Sequence, residues 1–254
     1  MKKIVLFGLA LAALFSCESR KVPQVVTLMS YNVGVFSKYQ DNSMPGVAQL
    51  IRETGASFVG MSELDSCNTR HNTFQVKDLA EMLEWDYAFA RAIAYRGGAY
   101  GDGVVCSKPA LKKVRVPLSQ AGGAEARAIC VVETEDCVFA ATHLDHRSTE
   151  AALTQMQEVN DWFRAHYAGS AKPVFLVGDF NVYPDSEVIA LAQGAWTLLS
   201  GTALTFPSRK PNRCIDYVFA FKYAASVEVV STQVITEGTS DLSDHLPLVV
   251  KVKF

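Results

Sequence analysis

The chain has 254 residues, 49% hydrophobic and 20% charged, with 24 Lys and Arg against 26 Asp and Glu for a net charge of −2. That composition is ordinary for a globular protein with a large core, and the length allows one large α/β domain or two small ones. It also weighs against a dedicated duplex-DNA enzyme, whose surface normally carries excess positive charge, although a local basic patch is not excluded.

The N-terminus reads as a targeting segment. Lys2 and Lys3 precede Ile4 to Phe15, twelve apolar or Gly residues, which is too short to span a bilayer and right for a signal-peptide core. Leu14-Phe15-Ser16-Cys17 resembles a bacterial lipobox, with Phe15 bulkier than usual. The expectation is a lipoprotein signal peptide over residues 1–16, lipid on Cys17, a tether over 17–24 and one domain over 25–254. Ordinary secretion and an uncleaved anchor are the alternatives. Losing Lys2 and Lys3 takes the net charge from −2 to −4.

From Val25 the pattern alternates strand and helix. An apolar run ends at Asn32, a helix is predicted near Met44–Glu53, and a second strand covers Ser57–Glu63. Val76, Leu79, Ala80 and Leu83 repeat at amphipathic-helix spacing over Gln75–Glu84. Strands follow at Tyr87–Ile93, Gly103–Cys106, Leu111–Pro117, Ala126–Val132 and Cys137–His143, with the Gly97-Gly98 and Gly101-x-Gly103 cluster read as a turn. Ala152, Met156, Val159 and Phe163 mark the strongest helix, Thr149–His166. Another buried strand runs from Pro173 to Gly178, and a helix near Ser186 is expected to be capped by Asp185. Ile215–Phe221, Val227–Val234 and Leu246–Val252 complete the chain as strands. Two strand-rich halves with helices between them predict two packed sheets flanked by helices.

The cysteines beyond Cys17 are Cys67, Cys106, Cys130, Cys137 and Cys214, with no CxxC spacing, so neither zinc nor a disulfide framework is indicated. Cys106 and Cys130 read as core residues. A Cys130–Cys137 bridge across a hairpin is conceivable and is not adopted. Trp85, Trp162 and Trp196 read as packing.

The informative residues are polar ones stranded at the ends of apolar runs: Asn32, Glu63, His143, Asp179, Asn181, Asp216, Asp244 and His245. Carboxylates are rarely buried unless paired or bound to metal, so their recurrence at strand ends points to one convergent site. Hard oxygen ligands plus a proton-transfer base suit Mg-assisted phosphoester hydrolysis. Glu63 is the better metal ligand, and Asp65 beside it is expected to be solvated. Asp179 and Asn181 are left for chemistry once Asp185 takes the helix cap. Asp216, an acid in an apolar strand, is the natural partner of His245. His143 is placed near a phosphate oxygen, and His146 and Arg147 are read as loop residues. Arg127 is open between substrate contact and a structural ion pair.

In this order the motifs resemble the endonuclease/exonuclease/phosphatase superfamily, whose fold is shared with deoxyribonuclease I. They are Ser30-Tyr31-Asn32-Val33, Ser62-Glu63, Tyr100-Gly101-Asp102-Gly103, Thr142-His143, Gly178-Asp179-Phe180-Asn181, Ile215-Asp216-Tyr217 and Ser243-Asp244-His245-x-Pro247. Thr205-Phe206-Pro207 and Thr142-His143-Leu144-Asp145-His146-Arg147 resemble its bacterial metal-dependent hydrolase branch. Asp102 stands where that family usually has Asn. The resemblance implies a four-layer α/β/β/α sandwich with the site at the mouth between two mixed sheets. It implies Mg²⁺ or Mn²⁺ held by Glu63 with Asn32 and Asp244, and catalysis by His143, Asp179, Asn181, Asp216 and His245. Tyr100, Asp102 and Arg127 are candidate substrate contacts.

The expected activity is a phosphodiesterase or phosphatase acting on a small or lipid-derived phosphoester in the cell envelope, by a lipid-anchored monomer. A nuclease, using Arg91 with Arg96, Lys112 with Lys113 and Arg115, or Arg209 with Lys210 and Arg213, is the second reading. A non-catalytic surface lipoprotein is the third.

Overall fold

The computed structural model describes residues 23–254, so the signal segment, Cys17 and most of the tether lie outside the described residues. Twelve strands and four α-helices follow in chain order: β1 (Val25–Asn32), α1 (Met44–Thr54), β2 (Phe58–Ser66), α2 (Gln75–Leu83), β3 (Asp86–Tyr95), β4 (Gly98–Cys106), β5 (Lys112–Leu118), β6 (Arg127–Glu133), β7 (Val138–His143), α3 (Thr149–Tyr167), β8 (Val174–Asp179), α4 (Glu187–Ala195), β9 (Trp196–Leu198), β10 (Asp216–Phe221), β11 (Glu228–Val234) and β12 (Leu248–Lys253). They form two six-stranded mixed sheets, ordered β11-β12-β1-β2-β4-β3 and β5-β6-β7-β8-β10-β9. This is the deoxyribonuclease I-like sandwich that the family resemblance implies.

Three cores define the layers. Phe58, Phe139, Phe175, Val177, Val218 and Val250 fill the space between the sheets. Met29, Val59 and Val105 pack one outer face against Val47 and Ile51 of α1 and Leu79 of α2. Met156, Val159 and Phe163 of α3 and Ile189 of α4 cover the other, over Val131, Leu176 and Phe219. Each such side chain contributes about 1.5–3 kcal/mol on burial, which holds these short amphipathic helices on the sheets.

The predicted elements are present with shifted ends. Ser186, not Asp185, caps α4, accepting from the Ile189 N–H at 3.3 Å. A serine hydroxyl directly before the first turn has the better reach to that donor. Of that glycine cluster only Gly97 lies in the turn between β3 and β4, at φ +86° beside Arg96 at φ +45°. Gly101 and Gly103 lie inside β4, where a Cβ at Gly101 would sit 2.1 Å from the Ala90 carbonyl oxygen of the neighbouring strand. Asp65 is fully buried rather than solvated: Arg70 donates to it through Nε and Nη2 at 2.7 and 2.8 Å, and His71 Nδ1 lies 2.7 Å away. The five cysteines in the described residues are free, and Cys106, Cys130, Cys137 and Cys214 are buried. Trp196 is a core residue whose indole donates to Asn160 at 2.8 Å. No helix among the described residues is long and apolar enough to cross a membrane.

Candidate active site

Strand register assembles the site. In the second sheet, His143 pairs with Asp179 across β7 and β8, and Asp179 pairs with Asp216 across β8 and β10. Three polar side chains therefore lie in one row at one sheet end. In the first sheet, Asn32 ends β1 beside Ser62 of β2. The β2–β4 register slips between Met61 and Leu64, and Glu63 sits in the slip with φ +59°. A bulge of this kind re-aims one side chain, and a non-glycine residue held in the left-handed region costs of order 1–3 kcal/mol, persisting only where surrounding structure enforces it. Asp244 and His245 arrive on the loop before β12, fixed where the Ser243 hydroxyl donates to the Asn32 carbonyl at 2.6 Å.

The two sheet ends meet through Asn32. Its amide donates to Glu63 Oε1 and to Asp179 Oδ2, each at 3.1 Å, while its Oδ1 accepts from the Gly34 N–H at 3.1 Å. Asn32 thus presents nitrogen, not oxygen, to the other site residues. Asp179 also accepts from the Asn181 N–H at 2.9 Å, and its Oδ2 lies 3.6 Å from His143 Nε2 and 3.5 Å from His245 Nε2. Asn181 turns its amide away to the Leu144 carbonyl at 3.1 Å. Asp216 Oδ2 accepts from the Thr205 hydroxyl at 2.5 Å and from His245 Nδ1 at 2.9 Å. The predicted acid–imidazole partnership is present, with His245 Nε2 left facing the cleft.

Burial and charge assign proton states. Burial lowers the His245 value, but Asp216 and Asp179 outweigh it and carry it to about 10, so the ring is an imidazolium at neutral pH. Burial pushes Asp179 up and Asp216 adds to this, against the pull of His245, so Asp179 titrates far above the ordinary carboxylate range. Burial, with Arg127 and His245 nearby, pushes His143 well down and keeps it neutral. Burial likewise raises Asp102 well above its usual value, against the opposing pull of Arg127.

Glu63, His143, Asp179, Asn181, Asp244 and His245 line a pocket of about 360 Å³ with Tyr100, Glu125, Arg127, His146, Tyr183, Phe206 and Arg213. Arg127 is buried and does both things the sequence left open. It pairs with Glu125 at 2.9 Å, donates toward His146 Nδ1 at 3.2 Å and forms part of the pocket wall. His146 is therefore a pocket residue, not a bare loop residue. Asp102 is buried, and its Oδ2 has no partner.

Sequence reasoning missed Lys38 altogether. Its ammonium lies 3.1 Å from Asp244 Oδ2 and 3.4 Å from Glu63 Oε2. The two carboxylates assigned to a metal thus converge on one positive charge, the chemistry expected where hard-oxygen ligands hold a dication. A second group, Asp179, Asp216 and His245, offers ligand atoms within 4.8 Å of one another. There, however, Asp216 Oδ2 is already engaged by Thr205 and His245, so Glu63 and Asp244 fit a cation better. The signal for Lys38 was a basic side chain six residues past Asn32, after a turn opened by Gly34. Thr205, noted only as part of a family mark, holds Asp216.

Among curated proteins, none matches this sequence. Solved structures do. The chain is similar to a mannosyl-6-phosphatase of Bacteroides thetaiotaomicron VPI-5482, with TM-score 0.74 and 20% identity over 90% of this chain and 100% of that one. It is similar to an endonuclease/exonuclease/phosphatase family protein of Bacteroides thetaiotaomicron, with TM-score 0.73 and 20% identity over 92% and 99% of the two chains. The human nocturnin catalytic domain with bound sulfate gives TM-score 0.69 and 18% identity over 90% and 93%. At these identities the likeness establishes the fold. The model of the Endonuclease/Exonuclease/phosphatase family matches residues 29–245, from within β1 to His245, and the chain belongs to this family of phosphoester hydrolases.

Proposed function

We propose that the protein is a Mg²⁺- or Mn²⁺-dependent phosphatase acting on a small phosphoester of the size of a sugar phosphate. The observation that carries this is the pocket. Strand-end polar groups of both sheets meet in about 360 Å³, near the lower bound of roughly 300 Å³ for small-molecule sites. Its wall pairs aromatic faces, Tyr100, Tyr183 and Phe206, with Arg127, Arg213 and Glu125, a lining suited to a polar ring bearing an anion. The similarity to a mannosyl-6-phosphatase supports the same reading.

Glu63 and Asp244 would hold the dication, which polarises a phosphoryl oxygen and neutralises developing charge. Asp179, with its proton affinity raised by burial, accepts a proton from the attacking water. His245, held as an imidazolium by Asp216, directs its Nε2–H at a phosphoryl oxygen and stabilises charge there as the bond to the leaving group breaks. Asn32 keeps Asp179 and Glu63 in a fixed relation through its two N–H bonds.

The basic residues that would suit a nuclease are largely committed elsewhere. Lys113 pairs with Asp86, Arg115 donates to the Arg91 carbonyl, and Arg209 pairs with Asp241. Of that set, Arg213 alone lines the pocket. A Mg²⁺-supplemented panel of sugar phosphates, inositol phosphates, phospholipids and nucleic acids tests the reading. Sugar-sized phosphomonoesters are expected to turn over fastest, and EDTA to abolish turnover. Preferred cleavage of polynucleotide with steeply salt-dependent binding would reverse the assignment. The proposal places the enzyme in the cell envelope as a lipid-anchored monomer. Cys17→Ser should then move it from the membrane fraction to the soluble one.

A further inference from the structure

Lys38 is a charged group of the site that the proposed chemistry leaves without a task. Its ammonium bridges Glu63 Oε2 and Asp244 Oδ2 at 3.4 and 3.1 Å. Glu63 Oε1 is bonded to Asn32 and Asp244 Oδ1 lies 3.3 Å from the Ser243 hydroxyl, so each carboxylate gives its remaining oxygen to the lysine.

The bridge is built by the turn after β1. Gly34 has φ +51°, and a Cβ there would lie 2.3 Å from Lys38 Cγ and 2.8 Å from its Cε. Only a glycine leaves the channel along which the lysine stem runs. The same Gly34 donates its N–H to Asn32 Oδ1, tying the channel to the site. The lysine side chain is about a third exposed, so it has an open path away from the carboxylates.

We propose that Lys38 is a tethered counter-ion that occupies the Glu63–Asp244 pair in the metal-free enzyme and is displaced when a dication binds. This rests on the metal reading of those two carboxylates. An ammonium and a dication cannot share the same two oxygens: Mg²⁺ needs them at about 2.0–2.1 Å, and two cations at such separation repel. Lys38 therefore lowers metal affinity while holding two like charges together before metal arrives. It is a positioning residue, acting on the metal ligands rather than on the reacting atoms.

Mn²⁺ titration of the full chain, followed by the electron paramagnetic resonance signal of free Mn²⁺, tests this without turnover. Lys38→Met should bind Mn²⁺ at least tenfold more tightly than the wild type, and Lys38→Arg should stay within about threefold of it. In EDTA, Lys38→Met should melt several degrees lower, since the carboxylates then repel uncompensated. Unchanged or weaker Mn²⁺ binding in Lys38→Met overturns the proposal. Glu63→Gln tests the underlying reading separately. If it leaves wild-type Mn²⁺ affinity intact, the ligand assignment fails; if it weakens binding while Lys38→Met has no effect, the counter-ion role alone fails.

Discussion

Asp216→Asn isolates the acid–imidazole pair with little change of shape. The carboxylate is buried, and its Oδ2 accepts from both Thr205 and His245. An amide leaves the imidazolium of His245 with Asp179 and the more distant Asp244 as charged partners in a dry site. Breaking a buried pair by removing one charge costs about 3–5 kcal/mol. The upward shift of His245 to about 10 from an ordinary value near 6.5 implies a coupling of the same order. The sign follows from linkage: a raised histidine value contributes stability in full below the unfolded value and loses it as pH rises through about 10. Urea denaturation in EDTA should therefore show the variant destabilised by about 3–5 kcal/mol near pH 6, with the difference narrowing progressively as pH rises toward about 10. Turnover should fall about 10²–10³-fold, the usual cost of losing one preorganised donor to developing charge. The alkaline limb of the pH–rate profile should also move toward neutrality, because the ring now loses its proton earlier. Equal pH–rate limbs for wild type and variant, with unchanged stability at pH 6, would refute the claim that Asp216 sets the state of His245.

Three further outcomes follow from named contacts. Asp102→Asn removes a buried carboxyl whose Oδ2 has no partner and whose value is raised by burial, so the wild-type residue costs stability as pH climbs above the ordinary carboxylate range. The variant should be more stable at pH 8 by about 1–3 kcal/mol and lose that advantage in acid, as read by denaturant midpoints. Asp65→Asn should behave oppositely. Burial opposes the Asp65 charge, but the hydrogen bonds from Arg70 and His71 win and lower its value. The variant should lose about 2–3 kcal/mol at neutral pH, and the difference should vanish as pH falls below the wild-type group's titration. Because Arg70 lies over the Tyr100 ring at 5.6 Å, Asp65→Asn should also raise KM more than it lowers kcat. Asp179→Asn, which keeps the shape but cannot take a proton, should abolish turnover while leaving Mn²⁺ affinity within about threefold of wild type.

Much of this site was legible because buried strands are written in apolar residues, and a polar residue at their end is conspicuous. Asn32, Glu63, His143, Asp179 and Asp216 all stood out that way, and register then brought them together. What was not legible depends on approach through space. Asp65 looked solvated because alternation along a strand says nothing of Arg70 and His71, which fold back from the following loop to pair with it. Likewise, the bulge at Glu63 has no marker within Met61-Ser62-Glu63-Leu64; it exists because β4 sets the register on the far side. Lys38 and Thr205 sit in loops, where side-chain direction is fixed by turns rather than by period.

The same geometry explains why the fold tolerates this much charge at a dry sheet end. Asp179 and Asp216 are adjacent in register, and two buried carboxylates side by side cannot both remain ionised without compensation. The second sheet supplies no cation at that point; His245 comes from the first, on the loop before β12, and lies 2.9 Å from one acid and 3.5 Å from the other. Glu63 and Asp244, both from the first-sheet side, meet Lys38 in the same way. The Asp179–Asp216–His245 cluster is complete only when the sheets are packed, so forming the core and forming that half of the site are one event. A core substitution that lets the sheets slide should consequently disturb proton states before it unfolds the protein. Gly60 is the place to test this, because a Cβ there would lie 2.3 Å from Val177 Cγ2 of the opposing sheet, two residues before Asp179. Gly60→Ala, costing about 1–3 kcal/mol by overpacking, should still fold yet shift the pH–rate profile, whereas a change in stability with an unmoved profile would separate the two events.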